Sequence, residues 1–142
     1  MNREILFRGK RKDNGMWEYG NLSMRDETGR SKYYIGQNML GYEVLPETIG
    51  QYTGLTDKNG RKIFEGDIVE FQDGVLDDVY HEFKIINRGV MAFSVGWFYI
   101  TERNVVEMED LIWNNVDFDG EVVGNIHDNP ELVRKDEGNE EV

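Results

Sequence analysis

The sequence predicts a mainly β protein, with a β-rich N-terminal part packed on a C-terminal SH3-like barrel and one or two short helices. Three observations carry this expectation. Turn formers recur at short intervals, at Asp13-Asn14-Gly15, Thr28-Gly29-Arg30, Asp57-Lys58-Asn59-Gly60 and Asp119-Gly120, and such residues supply turns with positive φ. The segments between them alternate heavy and light residues with a period of two. Finally, a chain of 142 residues that is 39% apolar and 12% aromatic can bury a core without disulfides, and it has no cysteine to form them.

Each element follows from this rhythm. Ile5 and Phe7 fall on one face of a strand and Arg8 on the other. Trp17 and Tyr19 alternate with Glu18 and Gly20, which predicts a second strand with its aromatics turned inward. Asn59 and Gly60 are expected to take left-handed geometry in a hairpin turn. A barrel over residues 62–133 is then expected from strands near 67–72, 82–88, 90–95, 97–101 and 121–126, since closure removes exposed sheet edges. Its expected core is Val69, Phe71, Phe83, Ile85, Phe93, Val95, Val122 and Ile126. Val105, Met108 and Ile112 lie at helical spacing behind an Asn104/Glu107 capping pair, which predicts a short helix over 104–113. A second is expected from Asn129, with Pro130 at its first position. The expected division is thus 1–61, 62–133 and a disordered acidic tail, 134–142.

Three ordered motifs resemble the YopX family of phage and prophage proteins. The opening is Glu4-Ile5-Leu6-Phe7-Arg8-Gly9-Lys10 with Trp17-Glu18-Tyr19-Gly20. The central segment runs through Pro46-Glu47-Thr48-Ile49-Gly50, Thr56-Asp57-Lys58-Asn59-Gly60 and Phe64-Glu65-Gly66-Asp67. The close is Gly124-Asn125-Ile126-His127-Asp128-Asn129-Pro130. The resemblance covers nearly the whole chain and implies a similar C-terminal barrel. It implies no particular reaction, because no biochemical activity is established for the family.

Charge is distributed unevenly. Residues 1–71 hold 11 Lys and Arg against 11 Asp and Glu, whereas residues 72–142 hold 5 against 17. The net charge of −12 therefore lies wholly in the second half. Such a surface repels phosphate backbones and suits either solubility or a basic partner. Asp77, Asp78 and Glu82 are the candidate partner-binding residues, and the expected partner is a basic host or phage protein. The one concentrated basic cluster is Arg8, Lys10, Arg11 and Lys12. Beside Trp17 and Tyr19 it offers an alternative reading, in which a basic hairpin binds single strands by charge and base stacking.

Catalytic patterns are sparse. Nucleophilic catalysis needs a Ser, Cys or Thr beside a base, and the two histidines, His81 and His127, stand in no metal or nucleophile motif. Gly54 and Gly60 are separated by five residues where a phosphate loop needs four, and Arg61 stands where its lysine belongs. Asp117, Asp119 and Glu121 alternate like calcium ligands, but Val122 occupies the position that needs glycine. Glu47, Glu65 and Asp67 would need to converge in a cleft to act as acid and base. The expectation is a protein that is not an enzyme, with no catalytic residues, metal or cofactor. The first residues lack an apolar signal stretch and no apolar run is long enough to span a bilayer, so a cytoplasmic setting is expected. The aromatics of the charge-balanced first half add an expectation of homo-oligomerisation.

Overall fold

A computed structural model describes residues 4–37, 41–77, 82–94, 97–102 and 120–133, with backbone alone for 72–77, 82–87, 93–94 and 97–102. The chain divides into two compact units, Met1–Gly54 and Leu55–Val142. All regular structure among the described residues is antiparallel strand or 3-10 turn. The helix expected over 104–113, the tail 134–142 and the carboxylates Asp117 and Asp119 lie outside the described residues.

The first unit is a meander. Strands β1 (Phe7–Lys10), β2 (Trp17–Glu27), β3 (Arg30–Gly36) and β4 (Tyr42–Val44) pair in chain order. The start of β5 (Gly50–Thr56) pairs with β1 on its other side, Phe7 with Gln51 and Arg8 with Gly50. A bridge between Arg11 and Val44 ties β4 back to the end of β1. The Leu45 N–H donates to the Lys10 carbonyl at 2.8 Å, and the Lys12 N–H to the Glu43 carbonyl at 2.9 Å. Inside this curl Ile35 and Val44 are fully buried, and a Cβ on Gly9 would sit 3.0 Å from Ile35 and 3.2 Å from Val44. Two strands approach as closely at Gly20, where a Cβ would lie 2.5 Å from the Gly36 carbonyl. Only glycine fits there.

In the second unit Leu55 and Thr56 lead through the turn at residues 57–60 to β6 (Lys62–Phe64). Gly60 has φ +82°, as expected of the turn. Asn59 does not share the left-handed geometry expected of it, because the Asp57 carboxylate already folds the turn through its own hydrogen bonds. A four-stranded sheet follows in the order β10-β7-β8-β9, built from β7 (Asp67–Asp77), β8 (Glu82–Ser94), β9 (Trp97–Glu102) and β10 (Glu121–Asn125). Among the described residues β9 and β10 are its edges, and no pairing between them closes a barrel. The strands expected at 82–88 and 90–95 are one strand. Gly89, which reads as a break, is paired on both sides, with Val69 and with Glu102.

The second unit's core is Ile63, Val69, Phe71, Met91 and Val122, with Leu55 packed on it. Val69, Phe71 and Val122 are thus core residues as expected. Ile126 is only half-buried, since the chain has left β10 for a turn by that point. Val95 and the side chains of Phe83, Ile85 and Phe93 fall outside what is described. Ile68 is as buried as its neighbour Val69, so β7 is covered on both faces at its start. The turn at Glu65 and Gly66 joins three strands. Gly66 N–H donates to the Met91 carbonyl at 2.8 Å, and Gly66 accepts from the Ile126 N–H at 3.0 Å. The short helix expected after Asn129 is a single 3-10 turn, Pro130–Leu132.

Candidate functional site

The central motif carries polar side chains that an active site would need free, and the fold engages Thr48, Asp57 and Asp67. Thr48, in the 3-10 turn Pro46–Thr48 of the first unit, accepts the Lys10 N–H at 2.8 Å and donates its hydroxyl to the Leu45 carbonyl at 2.7 Å. Asp57, in the second unit, is buried. One of its oxygens accepts the Asn59 and Arg61 N–H groups at 2.9 and 2.8 Å, and the other accepts the Val122 N–H at 3.0 Å. Burial pushes this carboxyl up, but the backbone donors of Val122, Arg61 and Asn59, aided by the Arg61 charge, hold it below the usual range on balance. Asp67 is buried too and accepts the Phe64 N–H at 2.7 Å.

The closing motif works in the same way. Asn125 caps its own turn, its side-chain oxygen accepting the N–H groups of His127 and Asp128, both at 2.9 Å. The Asn129 side chain turns back to accept the Asn125 N–H at 3.2 Å, and a Cβ on Gly124 would lie 2.6 Å from it. His127 therefore belongs to a hydrogen-bonded turn, and His81 lies outside the described residues. Among the described residues no group of three His, Asp or Glu side chains could hold a metal ion. None of their helices is long and apolar enough to cross a membrane.

The basic cluster is engaged within its own unit. Arg8 is only 4% exposed, and its guanidinium lies 4.6 Å from the centre of the Trp17 ring, with the Lys10 ammonium at 5.5 Å. Arg11 binds both oxygens of Asp13, at 3.0 and 2.8 Å, and stacks 3.7 Å from the Tyr42 ring. That pairing raises Arg11 and lowers Asp13 relative to their ordinary values. Lys12 lies 3.6 Å from Glu43. The aromatics do not simply face a core. Trp17 is half-buried under cations, and Tyr19 is 41% exposed. Arg8 pairs opposite Tyr19 and Lys10 opposite Trp17, which puts all four on one face.

The candidate acidic residues lie at one end of the β7–β8 ladder. Asp77 and Glu82 are its last paired residues, directly opposite each other, and Asp78 lies outside the described residues. Like charges in direct register are destabilising. Nearer the middle of the ladder the opposite arrangement holds, with Arg88 paired to Glu70 and donating to the Leu132 carbonyl at 2.9 Å.

With this geometry in view, the family comparison is decisive. The model of the YopX protein family matches residues 6–134. The chain belongs to the YopX family. No curated protein matches. Among solved structures, the YopX chain is similar to protein EF1440 from Enterococcus faecalis, with 23% identity and a TM-score of 0.54. That likeness covers 94% of this chain and 100% of the other, and it is a likeness of fold. The YopX motifs that identify the family are, in this chain, largely the residues that knit turns to strands.

Proposed function

We propose that this YopX protein is a non-enzymatic interaction module of phage or prophage origin, acting in the host cytoplasm, whose acidic second half binds a basic host or phage protein. One observation carries the reading: the whole net charge of −12 lies in residues 72–142. The register of β7 and β8 supports it, because Asp77 opposite Glu82 is a like-charge pair that a cationic partner would relieve. The motif residues Thr48, Asp57 and Asp67 support it from the other side, since each is hydrogen-bonded to backbone within its own unit. The alternative, a basic hairpin for nucleic acid, has less support. Arg8 is buried, while Arg11 and Lys12 face Asp13 and Glu43. As a matter of fold, we also propose an SH3-like arrangement for 62–133. The order last–first–second–third in β10-β7-β8-β9 is consistent with it.

The test is affinity capture from infected host cells, using the wild type and a variant with Asp77→Asn, Asp78→Asn and Glu82→Gln as baits. The reading expects a basic protein retained by the wild type at low salt and lost from the variant. The same proteins retained by both baits would overturn it.

A further inference from the structure

Strand β2 runs on past the strand that flanks it. β1 pairs with β2 only at residues 17–20. Ahead of Phe7 the chain follows β5 instead, and the Leu6 carbonyl accepts the Tyr52 N–H at 2.8 Å. From Asn21 to Glu27, β2 therefore has β3 on one side and no strand on the other among the described residues. Successive residues of an antiparallel strand direct their N–H and C=O groups to opposite sides, so alternate residues of 21–27 turn theirs outward. Asn21, Ser23, Met24, Arg25 and Asp26 are exposed, which leaves that edge open to solvent. The edge is also regular. Pairing runs from Asn21 with Gly36 to Glu27 with Arg30 without a register shift. The tip is a two-residue turn with positive φ at Thr28 and Gly29, +46° and +79°, and such a turn pins the register.

An open edge is a template for another strand, and proteins usually blunt it with proline, lysine, a bulge or a cover. Residues 21–27 carry neither proline nor lysine. Asn21-Leu22-Ser23-Met24 is uncharged, and charge begins only at Arg25. The two faces state what a third strand should carry. Ser23 and Arg25 share one face with Tyr34 and Lys32, their partners on β3. Arg25 lies 5.6 Å from the Tyr34 ring and directly opposite Lys32, an unfavourable pair that a carboxylate beside Arg25 relieves. Glu27, on the same face, lies 3.4 Å from Lys32. Leu22 and Met24 share the other face, where Met24 is 54% exposed. β4 flanks β3 only at residues 33–35, so residues 25–32 form a two-stranded ribbon. Such a ribbon is marginal until a third strand joins it.

We propose that residues 21–27 of β2 accept an extended peptide of a protein partner as a third strand, one that alternates apolar and acidic side chains. Its backbone pairs with the outward groups of β2 and supplies affinity, while the alternation of its side chains supplies selectivity. Its apolar residues lie beside Leu22 and Met24, and its carboxylates beside Ser23 and Arg25. The surface belongs to the first unit, so it is independent of the acidic half and of the partner proposed for that half.

The probe is a synthetic peptide of alternating valine and glutamate, as long as the 21–27 edge. Its binding is followed by fluorescence anisotropy, and its position by amide hydrogen exchange of the whole protein. The peptide should bind and slow exchange at alternate amides of 21–27. Arg25→Glu should weaken binding by roughly tenfold or more, because it sets like charges in contact. A peptide of alternating valine and lysine should bind the wild type as weakly, and pairing it with the Arg25→Glu variant should restore binding. Arg25 is exposed, so that variant should melt with the wild type. The valine–glutamate peptide N-methylated at every residue should not bind, because it has no backbone donors. No binding, protection elsewhere in the chain, indifference to Arg25→Glu or equal binding of the methylated peptide would overturn the proposal. Protection of 21–27 that grows with protein concentration in the absence of peptide would overturn it too, since the occupant would then be a second copy.

Discussion

The Asp57 carboxylate accepts the backbone N–H of Val122 at 3.0 Å, joining a turn near the start of the second unit to a strand 65 residues later. The same side chain holds its own turn through Asn59 and Arg61. One residue thus fixes local geometry and closes a long loop. The Lys58 N–H, which donates to the Gly120 carbonyl at 2.9 Å, reinforces the closure. A buried carboxylate is stable here because three donors replace its water.

Asp57→Ala should therefore destabilise the protein by about 3 kcal/mol, since a hydrogen bond to a charged group contributes about 1.5–3 kcal/mol and the Val122 N–H is left buried without its acceptor, while water can reach the N–H groups of the exposed Asn59 and Arg61. Urea denaturation measures this. A loss under about 1 kcal/mol would mean that water replaces the carboxylate.

Acid should remove the same contribution. The folded Asp57 carboxyl titrates below its ordinary value. The unfolded chain therefore takes up the proton first as pH falls, near pH ~3.9 for an aspartate. The stabilisation is whole above that pH and is lost as pH falls through the folded value. The stability difference between wild type and Asp57→Asn should be flat above about pH 5 and shrink below about pH 4. A difference that grows on acidification would contradict the assignment.

Two glycines should respond differently to substitution. A Cβ on Gly60 meets nothing within 4 Å, so Gly60→Ala suffers only from its φ of +82°, about 1–2 kcal/mol. Gly20→Ala drives a Cβ to within 2.5 Å of the Gly36 carbonyl and should cost about 3 kcal/mol. Melting temperatures rank the pair, and the reverse order would count against the close approach.

In the second-unit core, Ile63→Ala should cost about 2–5 kcal/mol, because Ile63 is completely buried beside Val69 and Met91. Denaturant midpoints at unchanged slope measure it.

The strand rhythm and turn positions were legible because they depend on local chemistry. Gly60, the start of β7 at Asp67 and the strands β9 and β10 lie close to where alternation and turn residues put them. What was hidden depends on neighbours distant in sequence. Gly89 reads as a break but is paired on both sides, within a strand anchored by Arg88 and Glu70. Arg8 reads as part of a basic surface but lies beneath Trp17, because register puts Lys10 and Trp17 beside it. The Asp57–Val122 bond leaves no local trace, since its donor is a backbone N–H.

The most direct measurement of the central claim is the association rate of the basic partner captured by the wild type, taken at 0.1 and 1 M salt. The Debye length falls from ~10 to ~3 Å between these conditions. Electrostatic steering should make the wild-type rate fall by about tenfold or more, while the variant carrying Asp77→Asn, Asp78→Asn and Glu82→Gln associates slowly at both. A wild-type rate indifferent to salt, or a variant as fast as wild type at 0.1 M, would contradict a binding function carried by the acidic half.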